Sequence, residues 1–116
     1  ANVLVSGDLM VKLADFGLSI RGGTSTERTG SPLYTAPEVL IGREYDCGVD
    51  IWSFGCMLYE LYYDRVPFMA DVFEELCDKV CSQNVFFDLT IPEDMLTFIG
   101  NCFVRNPKKR PNAAKL

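Results

Sequence analysis

The stretch from Asp46 to Tyr63 constrains the fold of this chain more than any other. Read as a helix, it carries apolar side chains on nearly every face: Val49, Ile51, Trp52, Phe54, Cys56, Met57, Leu58, Tyr59, Leu61 and Tyr62. A helix that is hydrophobic all round is buried. Because Asp50 and Glu60 interrupt the run, and a membrane span needs about 18 or more apolar residues with few or no charges, we do not expect a span. We predict the buried central helix of a mainly α domain.

Composition narrows the class of protein. The chain has 116 residues, of which 48% are hydrophobic and 23% charged, as in one soluble globular domain or part of one. Its formal net charge of −5 argues against a broad basic surface for nucleic acid or anionic lipid. Five cysteines without any histidine favour core thiols over disulfides or a metal site. We therefore expect an intracellular, cytoplasmic protein that binds neither nucleic acid nor a membrane.

The N-terminal part predicts a hairpin followed by a loop. Residues Val3–Val5 and Leu9–Leu13 are β-rich runs separated by a Ser-Gly-Asp turn signal. From Gly17 to Tyr34 the periodicity disappears and Gly, Ser, Thr and Arg dominate, which is typical of a long functional loop. Since the chain opens on a strand and closes on the first turn of a helix, we expect a piece of a longer protein.

Three further helices are predicted around the central one. The first is short, with Pro37 in its first turn and Gly42 as its stop. The second has Asp71 as its N-cap and Glu74 three residues later, with an apolar face formed by Phe73, Leu76, Cys77, Val80 and Cys81. The third starts at Pro92, and its apolar stripe comprises Met95, Phe98, Ile99, Cys102 and Phe103.

Asp15 is the first candidate for chemistry. It directly follows a predicted strand and precedes Phe16 and the flexible Gly17, a place where a carboxylate can hold a hard cation. Taken alone, such a tripeptide is more often a turn than a metal site. Asn2 lies across the predicted hairpin, so the two strands can bring its amide oxygen close to Asp15.

Several motifs follow Asp15 in a fixed order. They are Ala-Pro-Glu at residues 36–38, Asp-Ile-Trp-Ser-Phe-Gly from residue 50, and Asn-Pro-Lys-Lys-Arg-Pro at residues 106–111. Together with Asn2 and the Asp-Phe-Gly motif, this series resembles the protein kinase family over essentially the whole chain. The resemblance implies one partial kinase domain over residues 1–116: a C-terminal lobe fragment with a small β-hairpin, a long activation loop and a buried central helix.

The resemblance also implies site residues. Asn2 and Asp15 look like the ligands of the Mg²⁺ ions that bridge the phosphates of ATP, with Phe16 and Gly17 completing the cofactor-binding motif. Residues 30–38 look like the segment that receives a protein substrate, and Ser31, Pro32, Leu33 and Tyr34 are its docking candidates. Ser31 and Tyr34 match the pattern of Ser/Thr kinases and not that of tyrosine kinases, so we expect a Ser or Thr acceptor.

Other counterparts look structural or lie outside the chain. Glu38 and Arg110 resemble the family's buried ion pair, and Asp50 resembles the carboxylate that accepts backbone N–H bonds from the catalytic loop. The glycine-rich loop, the lysine and glutamate pair, and the aspartate base would all lie upstream of Ala1. The alternative is a non-catalytic pseudokinase or truncated scaffold that binds partners through the helix around Phe73.

Loop regulation leaves two readings open. Many kinases are activated when an upstream kinase phosphorylates the loop about four residues before the position of Ser31, which here is Glu27. Glu27 either supplies part of that charge permanently, or one of four hydroxyl residues is the phosphosite: Thr24, Ser25, Thr26 or Thr29. Arg21 and Arg28 are nearby cations that suit either reading.

Overall fold

A computed structural model describes residues 2–116. Its elements are β1 (Val3–Val5), β2 (Val11–Leu13), a 3₁₀ turn (Pro32–Tyr34), α1 (Pro37–Leu40), α2 (Gly48–Tyr63), α3 (Phe73–Ser82) and α4 (Glu93–Cys102). The described part of the chain is thus mainly helical with one small antiparallel sheet, which confirms the expected fold class at that level.

The hairpin pairs Val3 with Leu13 and Val5 with Val11. Its second strand is shorter than predicted, because Leu9 and Met10 belong to the turn. The Ser6 amide and hydroxyl both donate to the Met10 carbonyl, at 2.9 and 3.0 Å, and Leu9 adopts a φ of +63°. The sequence indicated the turn but not that it would extend over two apolar residues.

The central helix α2 begins at Gly48, two residues later than predicted, and it is not buried on every face. Its buried residues form one stripe, Trp52, Gly55, Cys56 and Tyr59. Phe54, Leu61 and Tyr62 are exposed, and Leu61 retains 75% of its accessible surface. The prediction of all-round burial is wrong for residues 2–116, because the elements packed against α2, among them α4 and the 3₁₀ turn, leave Phe54, Leu61 and Tyr62 exposed.

An aromatic cluster lies at the centre of the core. The Trp52 ring stacks on Phe68 at a centroid distance of 6.0 Å and meets the edge of Phe103 at 5.2 Å. Cys56 and Cys102 are buried beside this cluster, and burial raises the pKa of their thiols to about 12 and about 11, respectively. These two cysteines are therefore packing residues, protonated and inert at neutral pH.

The helices α3 and α4 differ in detail from the predictions. Asp71 is not the N-cap of α3: that position is Val72, which makes no side-chain capping bond. Burial of Leu76 and Val80 on the side of α1 fixes α3 instead, while Phe73 stays 44% exposed. In α4, Ile99 and Cys102 are buried, whereas Met95 and Phe98 of the predicted stripe are exposed.

No helix within residues 2–116 is both long enough and apolar enough to cross a membrane.

Candidate functional site

The hairpin brings Asn2 and Asp15 to one groove. The Ala14 amide donates to the Asn2 carbonyl at 2.8 Å, so the two strand ends lie side by side. Both residues are exposed and line a groove of about 640 Å³ between the hairpin and α2. The structure therefore places an amide and a carboxylate at the same edge of a cleft.

The backbone at Asp15 is unusual. Its φ of +62° lies in the left-handed region, which costs a residue with a Cβ about 1 kcal/mol or more. The conformation turns the carboxylate back over the chain, where Oδ1 accepts a hydrogen bond from the Gly17 amide at 3.2 Å. A Cβ at Gly17 would lie 3.2 Å from that same oxygen, so the glycine leaves room for the carboxylate.

The donor set of this groove fits a magnesium ion held together with other oxygen ligands. Mg²⁺ prefers oxygen donors and usually takes one or two carboxylates, with water and phosphate oxygens for the rest. No group of three or more His, Cys, Asp or Glu side chains that could hold a metal occurs in residues 2–116. Asn2 and Asp15 could therefore supply two of the oxygen ligands of such an ion.

The opposite wall of the groove comes from the start of α2. Asp50 lies in the first turn of this helix, is exposed and lines the groove with Cys47, Ser53 and Met57. Among residues 2–116 no donor hydrogen-bonds to its carboxylate. Phe16 also lines the groove and keeps 68% of its surface accessible.

The segment proposed to dock substrate is held to α2 by two side chains. Tyr34 donates its hydroxyl proton to the Glu60 carboxylate at 2.6 Å, and Ser53 Oγ donates to the Tyr34 carbonyl at 2.8 Å. The hydrogen bond to Glu60 raises the pKa of Tyr34 to about 12, and burial adds to the shift. Tyr34 is therefore neutral at physiological pH and fixes the end of the loop.

The other docking candidates form a short 3₁₀ turn. Ser31 precedes the turn, and its carbonyl accepts from the Tyr34 amide at 3.1 Å and from Thr35 Oγ1 at 2.9 Å. Ser31 and Pro32 are exposed, whereas Leu33 packs partly against the core. This turn therefore presents an ordered backbone to solvent with one apolar anchor beneath it.

Glu38 and Arg110 are brought together below the turn. Arg110 Nη1 lies 2.7 Å from Glu38 Oε1 and Nη2 lies 3.0 Å from Oε2, and both residues are buried. Arg110 also donates to the carbonyls of Gly48 and Val104, at 2.9 and 2.8 Å. One side chain thus joins α1, the start of α2 and the segment after α4.

The loop that contains the phosphosite candidates is not free along its length. Ser25 forms an antiparallel bridge with Tyr45, with amide-to-carbonyl distances of 3.0 and 2.9 Å. Thr24 Oγ1 donates to the Glu44 carboxylate at 2.8 Å, and the Tyr45 hydroxyl donates to the Glu27 carbonyl at 2.7 Å. Thr26 is exposed and Thr29 half-buried.

Sequence reasoning missed three of these residues. In the sequence, Glu60 is only a charge that interrupts an apolar helix, and this interruption is the signal that could have assigned it a partly buried hydrogen-bond partner. Glu44 and Tyr45 lie in a short connection between α1 and α2 whose sequence gives no sign of the bridge. Their role depends on a contact with residues about 20 positions earlier, which no local pattern encodes.

Comparison with known proteins gives related sequences. The chain is 33% identical over 98% of its length to "Protein kinase C-like 2" of Schizosaccharomyces pombe, and 34% identical over 94% to "Protein kinase C-like 1" of Caenorhabditis elegans. It is 36% identical over its whole length to "Probable serine/threonine-protein kinase mkcF" of Dictyostelium discoideum. The chain spans 12%, 16% and 17% of these three relatives, respectively.

The sequence pattern of the protein kinase domain matches residues 1–116, which is the whole chain. This match agrees with the order of the motifs from Asn2 to Arg110 and with the way in which the fold brings Asn2 and Asp15 to one groove. The chain therefore belongs to the protein kinase domain family.

Proposed function

We propose that the protein containing this chain, called the parent protein below, transfers the γ-phosphate of ATP to Ser or Thr residues of protein substrates. Residues 1–116 contribute the C-terminal-lobe part of its domain. The observation that carries the proposal is the placement of Asn2 and Asp15 at adjacent strand ends on one groove. The Dictyostelium discoideum relative, named as a probable serine/threonine-protein kinase, supports the Ser/Thr class.

Asn2 and Asp15 would hold Mg²⁺ in this groove. When bound, the ion neutralises the charge that develops on the phosphate oxygens during transfer. Asp15 contributes a full negative charge and Asn2 a neutral oxygen. Gly17 would help to orient the metal ligand, because its amide donates a hydrogen bond to Asp15 Oδ1. Phe16, on the same tripeptide, is our candidate for the side chain whose packing distinguishes active from inactive states.

Ser31, Pro32, Leu33 and Tyr34 would position the substrate chain. The Tyr34–Glu60 hydrogen bond and the Ser53 contact hold this segment on the rigid helix α2, as precise placement of an acceptor hydroxyl requires. The buried Glu38–Arg110 pair supports the same segment from below. Asp50 faces the groove from α2 and is our candidate for a hydrogen-bond acceptor to the catalytic loop.

Residues 1–116 alone should transfer no phosphate. Phosphoryl transfer also needs a catalytic aspartate and a lysine that contacts the phosphates, and the motifs for both have no counterpart in these residues. In the parent protein, an upstream kinase or a regulatory protein would control the loop through Thr24, Ser25, Thr26 or Thr29, unless Glu27 provides the charge permanently.

The alternative, a non-catalytic interaction module, has one specific observation in its favour. Phe73 at the start of α3 is 44% exposed and lines a cavity of about 170 Å³ with Arg28 and Val39. An exposed aromatic residue beside a cavity suits a partner surface. This reading requires no metal at Asp15, so a substitution of Asp15 separates the two functions.

The decisive experiment compares Asp15→Asn with wild type in the parent protein. Asparagine keeps the size of the side chain and can still accept from the Gly17 amide, but it removes the negative charge. We expect phosphorylation of a Ser/Thr peptide to fall at least about a hundredfold with an unchanged melting temperature. Activity within threefold of wild type would refute the assignment of Asp15 as a metal ligand, and inactivity of both proteins would favour the interaction module.

A further inference from the structure

The segment that joins α1 to α2 forms hydrogen bonds with residues 24–27 of the long loop at three points. Ser25 and Tyr45 exchange two backbone hydrogen bonds, the Tyr45 hydroxyl binds the Glu27 carbonyl, and the Glu44 carboxylate accepts from Thr24. Tyr45 itself packs partly against the core. These contacts tie a surface loop to a residue that is anchored in the folded body. We call the contacts of Glu44 and Tyr45 with residues 24–27 the loop latch.

The hydroxyl residues of the loop differ in whether their side chains take part in the latch. The Thr24 hydroxyl is part of it, with Oγ1 2.8 Å from Glu44 Oε1. Ser25 Oγ accepts from the Glu27 amide at 3.1 Å, a local turn contact. Thr26 is exposed and its hydroxyl makes no hydrogen bond within residues 2–116. A modification would therefore change the latch to different extents at these sites.

The charge of a phosphate on Thr24 decides whether its contact with Glu44 is attractive or repulsive. A neutral hydroxyl donates to the Glu44 carboxylate. A phosphate at that oxygen carries about −1.5 to −2 charges at neutral pH, so most molecules have no proton to donate and the two groups repel each other. Glu44 forms no ion pair within residues 2–116, so none of the arginines there neutralises its carboxylate by direct contact. The guanidinium of Arg28, a nearby cation, packs over Gly42 instead: a Cβ added to Gly42 would lie 2.9 Å from Arg28 Nη2.

We propose that a phosphate on Thr24 opens the loop latch by repelling Glu44, whereas a phosphate on Thr26 leaves it closed. Thr24 is thus a site at which modification releases residues 24–27 from the body of the domain. Only the meaning of this release for catalysis rests on the proposed function; the latch itself is a property of the fold.

The test uses amide hydrogen exchange at Ser25 and Tyr45 in the parent protein, measured without ATP. Thr24→Asp places a permanent negative charge against Glu44, and Thr24→Val removes only the hydrogen bond. Thr26→Asp is the matched control, because it adds the same charge two residues away. We expect exchange at both amides to be about tenfold faster in Thr24→Asp, about threefold faster in Thr24→Val and within twofold of wild type in Thr26→Asp.

Glu44→Gln provides the second arm, because glutamine keeps the acceptor oxygen without the charge. In a Glu44→Gln background, Thr24→Asp should accelerate exchange by less than threefold, since repulsion is absent and the amide can donate to the new carboxylate. Wild-type exchange in Thr24→Asp, equal acceleration by Thr26→Asp, or full acceleration despite Glu44→Gln would each overturn the proposal. Amides of Trp52 and Cys56 in α2 must keep their protection in the same samples. Their loss would mean that the latch does not open separately from the domain, which also overturns it.

This readout is independent of catalysis. If Asp15→Asn proves the proposed function wrong, the exchange rates still decide whether the latch exists. If the latch fails the test while Asp15→Asn abolishes activity, the proposed function stands without it.

Discussion

Arg110 donates hydrogen bonds to both carboxylate oxygens of Glu38, a residue 72 positions earlier in the chain, and both side chains are buried. The same guanidinium lies 5.3 Å from the centre of the Trp52 ring and donates to two backbone carbonyls. Five N–H donors in a planar fork suit this arrangement, and a lysine could not reproduce it. The pair therefore joins the base of the loop to the aromatic core.

The first prediction concerns this pair. Arg110→Ala in the parent protein should lower the free energy of unfolding by about 3–5 kcal/mol, because it leaves the Glu38 carboxylate buried without its partner. Arg110→Lys should cost less, since the charge remains while the two-point contact is lost. Urea unfolding measures both. An unchanged free energy of unfolding in Arg110→Ala would mean that the pair is exposed or absent in solution.

The second prediction concerns the contact between α2 and α4. A Cβ on Gly55 would overlap the Cβ of Cys102 and lie 3.4 Å from the Phe103 ring. Gly55→Ala should therefore destabilise the protein by about 1–3 kcal/mol through overpacking. Gly100→Ala on α4 is the matched control, because no atom lies within 4 Å of its Cβ. That variant should gain up to about 1 kcal/mol from helix propensity. Equal melting temperatures for the two variants would contradict the close approach.

The positions of these contacts explain how far the sequence could predict the structure. The hairpin, the helices and the order of motifs depend on local patterns, and the structure confirms the elements to within a few residues. The exposure of Leu61 and the uncapped start of α3 beyond Asp71 depend instead on which faces have neighbours. A hydrophobicity pattern records only that a residue is apolar, and it does not record whether another element covers that residue.

The candidate site shows the same division. Asn2 and Asp15 were placed together from strand pairing, which is a short-range argument across a hairpin. The roles of Glu44 and Tyr45 cannot be predicted from local sequence, because their partners are loop residues about 20 positions earlier and loops have no hydrophobic periodicity. Glu60 contacts Tyr34, 26 residues away, and was noticed only as a charge within an apolar helix.

The third prediction concerns the Tyr34 hydroxyl. Its pKa is raised to about 12 because the hydroxyl donates a hydrogen bond to the Glu60 carboxylate, which favours the protonated form. At about pH 10.5, Tyr34 should therefore stay largely neutral. An ordinary tyrosine, with a pKa of about 10, is mostly ionised at that pH. Since the raised pKa stabilises the protonated form, the contribution of this bond is complete below about pH 10 and disappears as the pH rises through 12. Glu60→Gln should lower the pKa of Tyr34 toward its ordinary value. The tyrosine ring carbon signals in an NMR titration measure both, with Tyr34→Phe identifying the resonance. An unchanged titration in Glu60→Gln would disprove the contact.

The fourth prediction concerns the isolated chain. Purified residues 1–116 should show no ATP-dependent phosphorylation of a Ser/Thr peptide, because the metal ligands alone cannot position the γ-phosphate. The chain should also be poorly soluble, since apolar side chains such as Leu9, Leu13 and Phe16 are exposed on and beside the hairpin. The parent protein assayed in parallel is the positive control, and measurable transfer by the isolated chain would contradict the prediction.

The last prediction concerns Glu27 and the charge of the loop. Glu27 is exposed, while its backbone is held at both ends: Ser25 Oγ accepts from its amide and Tyr45 donates to its carbonyl. Its carboxylate therefore projects from a fixed backbone, as a permanent activating charge would require. It offers one charge and two oxygens, whereas a phosphate offers nearly two charges and three oxygens.

If Glu27 serves in this way, parent protein made without other kinases and treated with phosphatase should remain active, and Glu27→Ala should lower its activity about tenfold. If a phosphosite serves instead, phosphatase should inactivate the protein, Glu27→Ala should change little, and one alanine variant among Thr24, Ser25, Thr26 and Thr29 should prevent reactivation by an upstream kinase. Glu27→Gln separates the charge from the side-chain length. Activity that survives phosphatase and also survives Glu27→Ala would exclude both forms of charge control.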